Sequence, residues 1–258
     1  MECASQMVLL LPGFGEDDKI FRKIKPFLNG YHLLYVDYRD VLRKFEVEDI
    51  SMDNFVQEMI SYFDIGPNDI LIGHSLGGYI SHKIRQLVDC ENCLIASFTD
   101  PSKIKIPVGF KRVIKMLTMK GMFTSRVFKE MLWKTYQKKP SVAEIEHTLS
   151  VFESYDKEDI YKLIKIIEPS KKSWTRIFRK NRLKRPSLIL HPMSDWIVKS
   201  PDEEHIKVPG DHFALTTYCE IVGRHIEDWL LGMHQEWAHS KELELETHLY
   251  DQPELWIA

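Results

Sequence analysis

No run in the chain approaches the ~18 consecutive apolar residues of a membrane-spanning helix, so no segment is expected to cross a bilayer. The start lacks the basic n-region and small-residue cleavage site of a secretory signal; its apolar stretch runs straight into Pro12 and Gly13. Cysteine is scarce, four in 258 residues, which excludes a disulfide scaffold. Cys90 and Cys93 form a C-x-x-C, but no second pair completes a zinc site, and Cys3 and Cys219 lie far away. These residues read as buried or partly buried thiols of a reduced, cytoplasmic protein, with no metal expected. Internal repeats and low-complexity tracts are also missing. Charge of one sign is nearly balanced, 35 Lys+Arg against 38 Asp+Glu, which argues at first sight against a nucleic-acid partner. What is present is a hydrophobic fraction of 44% with 28% charged residues, the composition of a globular chain long enough for a sizeable core.

Short apolar runs alternate with segments of helical periodicity, the sequence form of a parallel sheet covered by helices. Strands are expected at Met7–Leu11, Leu33–Val36, Ile70–Ile72, Cys93–Ala96, Ser187–Leu190 and Ile206–Val208. The first has no polar residue, as burial on both faces requires. Helices are expected at Lys19–Phe27, Asn54–Phe63, Leu76–Val88 and Ala214–Leu231. Between Pro101 and Arg185 the alternation stops. Amphipathic segments near Phe110–Met119, Arg126–Tyr136, Val142–Phe152 and Ile160–Ile167 replace it, which reads as an inserted helical lid. The expected division is an α/β core over 1–100 and 186–234, a cap over 101–185 inserted before the penultimate strand, and an acidic tail over 235–258.

The sharpest signal is Gly73-His74-Ser75-Leu76-Gly77, a G-x-S-x-G between a buried strand and an amphipathic helix. To present its Oγ at the end of a sheet, Ser75 must sit on a sharp, strained turn. Positions two before and two after it crowd together there, so Gly73 and Gly77 fit. An ordinary Gly-rich turn is the bland alternative, and the strand–turn–helix setting argues against it. Serine needs a base held by an acid, and behind such an elbow the chain order is Ser, acid, His. His212, in Val208-Pro209-Gly210-Asp211-His212-Phe213, follows the last strand and precedes the final helix. His74 adjoins the serine but should point away from it, and His191 reads as a satisfied structural histidine. His205, His225, His234, His239 and His248 read as surface residues. Asp195 stands just beyond the fifth strand and is the favoured acid, with Asp100 as the fallback. Asp211 should diverge from the base, and Asp202, Glu203 and Glu204 read as solvated. Two backbone donors must face a developing oxyanion. The amides of Leu76, after the nucleophile, and of Phe14, in the loop Leu11-Pro12-Gly13-Phe14-Gly15, are the candidates, with Gly13 allowing close approach.

With LPGFG, GHSLGG, HPMSDWIV and VPGDHFAL, the chain resembles the α/β-hydrolase superfamily over about Met7 to Leu231, apart from the insertion. The resemblance implies an Asp-assisted Ser–His triad, an acyl-enzyme intermediate and no cofactor, with Ser75, Asp195 and His212 at the matching positions. The frequent His-Gly of the oxyanion loop is Pro12-Gly13 here, which removes a side chain that usually braces that loop. Only 17 residues separate Asp195 from His212, too few for a full helix between the last two strands.

The balanced charge conceals an asymmetry. Lys103 to Arg185 holds 22 Lys+Arg against 8 Asp+Glu, and the remainder 13 against 30. A basic lid over a catalytic serine suits a small acyl substrate on an anionic carrier: an acidic acyl carrier protein, CoA, or lipid at an anionic surface. The bland alternative is a solvated lid face. Met116, Met119, Met122, Phe123, Phe128, Met131 and Trp133 would line an acyl pocket or pack the lid onto the core. The function expected first is a serine hydrolase of carboxylic esters. A type II-like thioesterase is the alternative, and a non-catalytic ligand-binding protein on the same fold is the alternative of another class.

Overall fold

The computed structural model describes residues 6–105, 142–167 and 187–233. Six parallel strands form one sheet: β1 Met7–Leu11, β2 His32–Tyr35, β3 Ile70–His74, β4 Glu91–Ile95, β5 Leu188–Pro192 and β6 Ile206–Val208. Their spatial order is β2-β1-β3-β4-β5-β6, so direction across the sheet reverses once, beside β1. The registers Leu11↔Gly73, His74↔Ile95 and Ile95↔Leu190 bring the carboxyl ends of the central strands to one edge. Loops leaving that edge carry every candidate catalytic residue, the place where open parallel sheets bind ligands.

Burial explains why apolar runs became central strands. Residues Val8 to Leu11 and Ile70 to Ile72 are essentially inaccessible, and each such side chain contributes roughly 1.5–3 kcal/mol on burial. Alternate residues enter opposite cores. Leu9, Leu11 and Leu71 face a core shared with α1 (Tyr38–Leu42), α2 (Met52–Tyr62) and α3 (Leu76–Val88). Val8, Leu10, Ile70 and Ile72 face Phe21, Ile24, Leu28 and the helix formed by residues 219–233. The edge strands β2 and β6 are partly exposed, as edges must be.

Two helices of the insertion are described, α4 (Val142–Ser154) and α5 (Lys157–Ile167). Ile160, Leu163 and Ile166 of α5 enter the first core with Phe55 and Val56. The lysine Lys165 donates to the carbonyls of Val47 and Glu48. The segments Phe110–Met119 and Arg126–Tyr136, the apolar wall from Met116 to Trp133, the tail 235–258 and His234, His239 and His248 lie outside the described residues.

Several expectations are corrected. Lys19–Phe27 is not one helix but two 3-10 turns, Asp18–Phe21 and Lys25–Leu28. Pro26 enters the second turn without an N–H to give, and a helix running through it would lose a bond and clash. The helix expected over Ala214–Leu231 breaks at Tyr218 into Ala214–Thr217 and 219–233. The short α1 was not foreseen; Asp37 caps it by accepting from the Arg39 amide. No helix joins β5 to β6, as the short spacing required.

Candidate active site

The elbow is built by close packing around Ser75. Its φ of 50° and ψ of −115° lie outside the regions L residues favour, a strain of about 1–3 kcal/mol. The surroundings hold it there. A Cβ at Gly73 would stand 2.4 Å from the Gly77 backbone, and one at Gly77 would stand 2.0 Å from the Leu11 carbonyl oxygen. Ser75 N–H donates to Ile95 O at 3.0 Å, and the Ser97 hydroxyl donates to Ser75 O at 2.6 Å. The elbow is thus fastened to β4 and its following loop while α3 departs from it.

Two loops, after β5 and after β6, bring Asp195 and His212 to Ser75. His212 Nε2 lies 2.9 Å from Ser75 Oγ, and His212 Nδ1 lies 2.9 Å from Asp195 Oδ2. The other carboxylate oxygen, Oδ1, accepts the amides of Ile197 and Val198 at 2.8 and 2.9 Å. Those two donors fix the carboxylate plane, so Oδ2 faces the imidazole and Nδ1–H is the tautomer that donates. The remaining nitrogen, Nε2, is then left as an acceptor facing the Ser75 hydroxyl. Burial raises the Asp195 carboxyl, but His212 and the two amides outweigh it, and the net position is below the ordinary carboxylate range. Lys105, at the start of the insertion, donates to the Asp195 carbonyl.

The other candidates are placed elsewhere. Asp100 caps the turn Pro101–Lys103 by accepting from Ser102 N, and it makes no bond to His212. Asp211 turns its carboxylate onto the Phe213 amide, diverging from the base as expected. Asp202, Glu203 and Glu204 are exposed, as expected of solvated loop charges; at that surface Asp202 pairs with Lys103 and Glu203 accepts from Thr99. His205 is partly buried and bonded to Ser200 and the Glu203 carbonyl, and His225 is partly buried, so neither is a plain surface residue. His191 is buried in β5, yet its Nδ1 has no hydrogen-bond partner among the described residues, which corrects its reading as a satisfied histidine. Cys90 and Cys93 are buried in opposite cores and cannot act as a pair. Burial pushes the Cys90 thiol up to about 12 and raises that of Cys93, so neither is a poised thiolate.

The loop after β1, the candidate oxyanion loop, lies against Ser75. A Cβ on Gly13 would stand 2.5 Å from Glu16 Oε2 and 3.1 Å from Ser75 Cβ, so a side chain there would displace the Glu16 carboxylate and crowd Ser75. Phe14 follows it, and Gly15 takes a φ of 68°. Leu76 opens α3 directly behind Ser75, where a helix start turns N–H groups and positive dipole toward the strand ends. The bracing thought lost with the His-Gly pair is supplied by other residues. Tyr38 Oη donates to Pro12 O at 2.8 Å. Glu16 Oε2 accepts the Gly13 amide at 2.7 Å and lies 2.7 Å from His74 Nδ1. Sequence reasoning missed Glu16 and Tyr38. The available signal was a carboxylate three residues beyond Gly13 together with a histidine inside the elbow.

Neither a protein-family model nor a curated protein sequence matches the chain. Solved structures do. A hydrolase from Oleispira antarctica superposes with a TM-score of 0.69 at 15% identity, over 88% of this chain and 92% of that one. A thermophilic esterase from Thermogutta terrifontis gives 0.64 at 15% identity, over 89% and 90%. A bromoperoxidase from Bacillus anthracis gives 0.66 at 12% identity, over 88% and 92%. The chain has the fold of the α/β-hydrolase superfamily, as its motifs led one to expect. Among the described residues no helix is long and apolar enough to cross a membrane.

Proposed function

We propose that this protein is a serine hydrolase that cleaves a carboxylic ester through Ser75, His212 and Asp195. The observation that carries the reading is the unbroken chain of two 2.9 Å contacts, Ser75 Oγ to His212 Nε2 and His212 Nδ1 to Asp195 Oδ2, at a strained strand–helix turn. That the similar folds include an esterase and a hydrolase supports the reaction class.

His212 takes the Ser75 proton as Oγ attacks the acyl carbonyl. The Phe14 and Leu76 amides face the oxyanion in this mechanism, while Asp195 keeps His212 in the Nδ1–H tautomer and stabilises its charged form. As the acyl C–O bond breaks, the imidazolium gives its proton to the departing alkoxide, which leaves as the alcohol while the acyl group stays on Ser75 Oγ as an ester. Water, deprotonated by the same nitrogen, attacks that ester, and Ser75 recovers its proton as the acid departs. No step calls for a metal or an organic cofactor.

We also propose that the described parts of the insertion, 101–105 and 142–167, belong to a lid beside this site. Three contacts support it: Tyr155 Oη donates to Glu16 O at 3.5 Å, His147 Nε2 lies 2.9 Å from Asp17 Oδ2, and Lys105 is held on the acid loop. The test is turnover of p-nitrophenyl esters of graded chain length beside acyl-CoA and acyl-carrier thioesters. Ester turnover that disappears in Ser75→Ala and His212→Ala is the expected result. Thioester turnover at far higher kcat/KM would move the leaving group from oxygen to sulfur, as in a type II-like thioesterase acting on a carrier at the basic lid. Absence of turnover together with absence of acylation would favour a ligand-binding protein.

A further inference from the structure

Beside the candidate triad lies a second buried acid–histidine pair that the proposed mechanism does not use. His74 is fully buried, and Glu16 is only 11% exposed. One oxygen, Glu16 Oε2, serves two donors: Gly13 N at 2.7 Å and His74 Nδ1 at 2.7 Å. The other nitrogen of the ring, His74 Nε2, lies 3.0 Å from the carbonyl oxygen of His212. A carbonyl oxygen only accepts, so Nε2 must carry a proton to bond it. A carboxylate oxygen also only accepts, so Nδ1 must carry one as well. Both conditions hold together only in the imidazolium.

We infer that Glu16 and His74 form a buried carboxylate–imidazolium pair that positions the proposed catalytic machinery, resting on the serine-hydrolase reading above. Its three bonds join three separate loops. Glu16 holds Gly13 of the oxyanion loop, His74 belongs to the elbow itself, and its far nitrogen holds the backbone of the base. Both act through other residues and are positioning residues. The groups facing His74 suit a charged ring: the carboxyl groups of Glu16 and Asp195 favour its charged form, and the uncharged Phe213 ring and the His212 ring flank it at 6.4 and 5.2 Å. Burial disfavours the charge on His74, but Glu16, the His212 carbonyl and Asp195 outweigh it and raise its pKa above the ordinary histidine value.

The geometry makes Glu16→Gln informative although the shape is conserved. The atom replacing Oε2 must accept from Gly13 and from His74 at once. If the amide nitrogen takes that place, it opposes the Gly13 N–H. If the amide oxygen takes it, a neutral His74 donating from Nδ1 gives up its bond to the His212 carbonyl. Either way one of the three loops is released.

Two measurements test the pair. Nitrogen-15 NMR of histidine-labelled wild-type protein at pH 7, with His74 assigned by its loss in His74→Gln, should show both ring nitrogens of His74 protonated. A neutral tautomer, with the proton on Glu16 or elsewhere, would overturn the inference, and this readout needs no substrate. In steady-state hydrolysis of a p-nitrophenyl ester, Glu16→Gln should lower kcat by about 10- to 100-fold with KM changed less than about twofold, because placement of reacting groups is lost and substrate contacts are not. His74→Gln should behave alike. Wild-type kcat in both variants, with Ser75→Ala still inactive, would overturn the positioning role while leaving the serine-hydrolase reading intact. Equal activity of Ser75→Ala and wild type would instead remove that reading itself.

Discussion

Replacing Asp195 by Asn separates the acid's electrostatic role from its structural one. In the wild type Oδ1 accepts two buried amides and Oδ2 faces His212 Nδ1 at 2.9 Å. An asparagine must keep its carbonyl oxygen toward Ile197 and Val198, because its NH2 cannot accept from them. The NH2 therefore points at His212 Nδ1 and donates to it. The imidazole then carries its proton on Nε2, where it donates to Ser75 Oγ and cannot remove the hydroxyl proton. In triads of this type, loss of the correct tautomer costs about 10⁴ in kcat, or about 5 kcal/mol at 1.36 kcal/mol per tenfold. Stability should change far less, since both amide bonds persist and only the charge-assisted part of one hydrogen bond is lost, about 1 kcal/mol. For a chain of this size that is a Tm drop of about 2–4 °C. The carboxyl is depressed in the folded state, so its contribution is complete above the ordinary carboxylate range and is lost as pH falls through the folded value. The stability gap between wild type and Asp195→Asn should accordingly narrow below about pH 4. The assays are steady-state ester hydrolysis and thermal unfolding followed by circular dichroism from pH 3 to 8. An Asp195→Asn enzyme retaining more than a tenth of wild-type kcat would refute the reasoning.

Three further outcomes follow from named contacts. Gly77→Ala places a Cβ 2.0 Å from the Leu11 carbonyl oxygen, a backbone atom that cannot swing aside, so calorimetry should show a loss of about 3 kcal/mol, at the upper end of ordinary overpacking. His74 has a raised folded pKa, so its contribution is complete below its unfolded value near 6.5 and fades as pH rises through the folded value; urea titrations from pH 6 to 9 should show a steeper stability decline in wild type than in His74→Gln. Tyr38→Phe leaves the buried Pro12 carbonyl without its hydroxyl donor, and chemical denaturation should reveal a loss of about 1–3 kcal/mol with the fold retained.

The central sheet was legible because a strand buried on both faces has no polar residue to spare, as in Val8 to Leu11 and Ile70 to Ile72. The elbow was legible for a related reason. Steric demands at Gly73 and Gly77 are local in sequence, so composition records them directly. The helix expected at Lys19–Phe27 failed because its apolar spacing outweighed Pro26 in the reading, although the proline decides the local geometry. Five-residue α1 is too short to display a period, and only its Asp37 cap hinted at it. Glu16 stayed hidden because its partner His74 is 58 residues away, and a buried ion pair of this kind leaves no spacing rule. The charge asymmetry of Lys103–Arg185 is legible in composition, but what it meets depends on tertiary placement that composition does not encode.

The central claim is that Ser75 is a nucleophile activated by His212. A fluorophosphonate probe tests it most directly, since the probe phosphonylates an activated serine without any need to know the natural substrate. Intact-mass and peptide analysis should find one adduct, on Ser75, with labelling abolished in Ser75→Ala and slowed at least about 100-fold in His212→Ala. Labelling of Ser75→Ala at the wild-type rate, or an adduct on any other residue, would contradict the account.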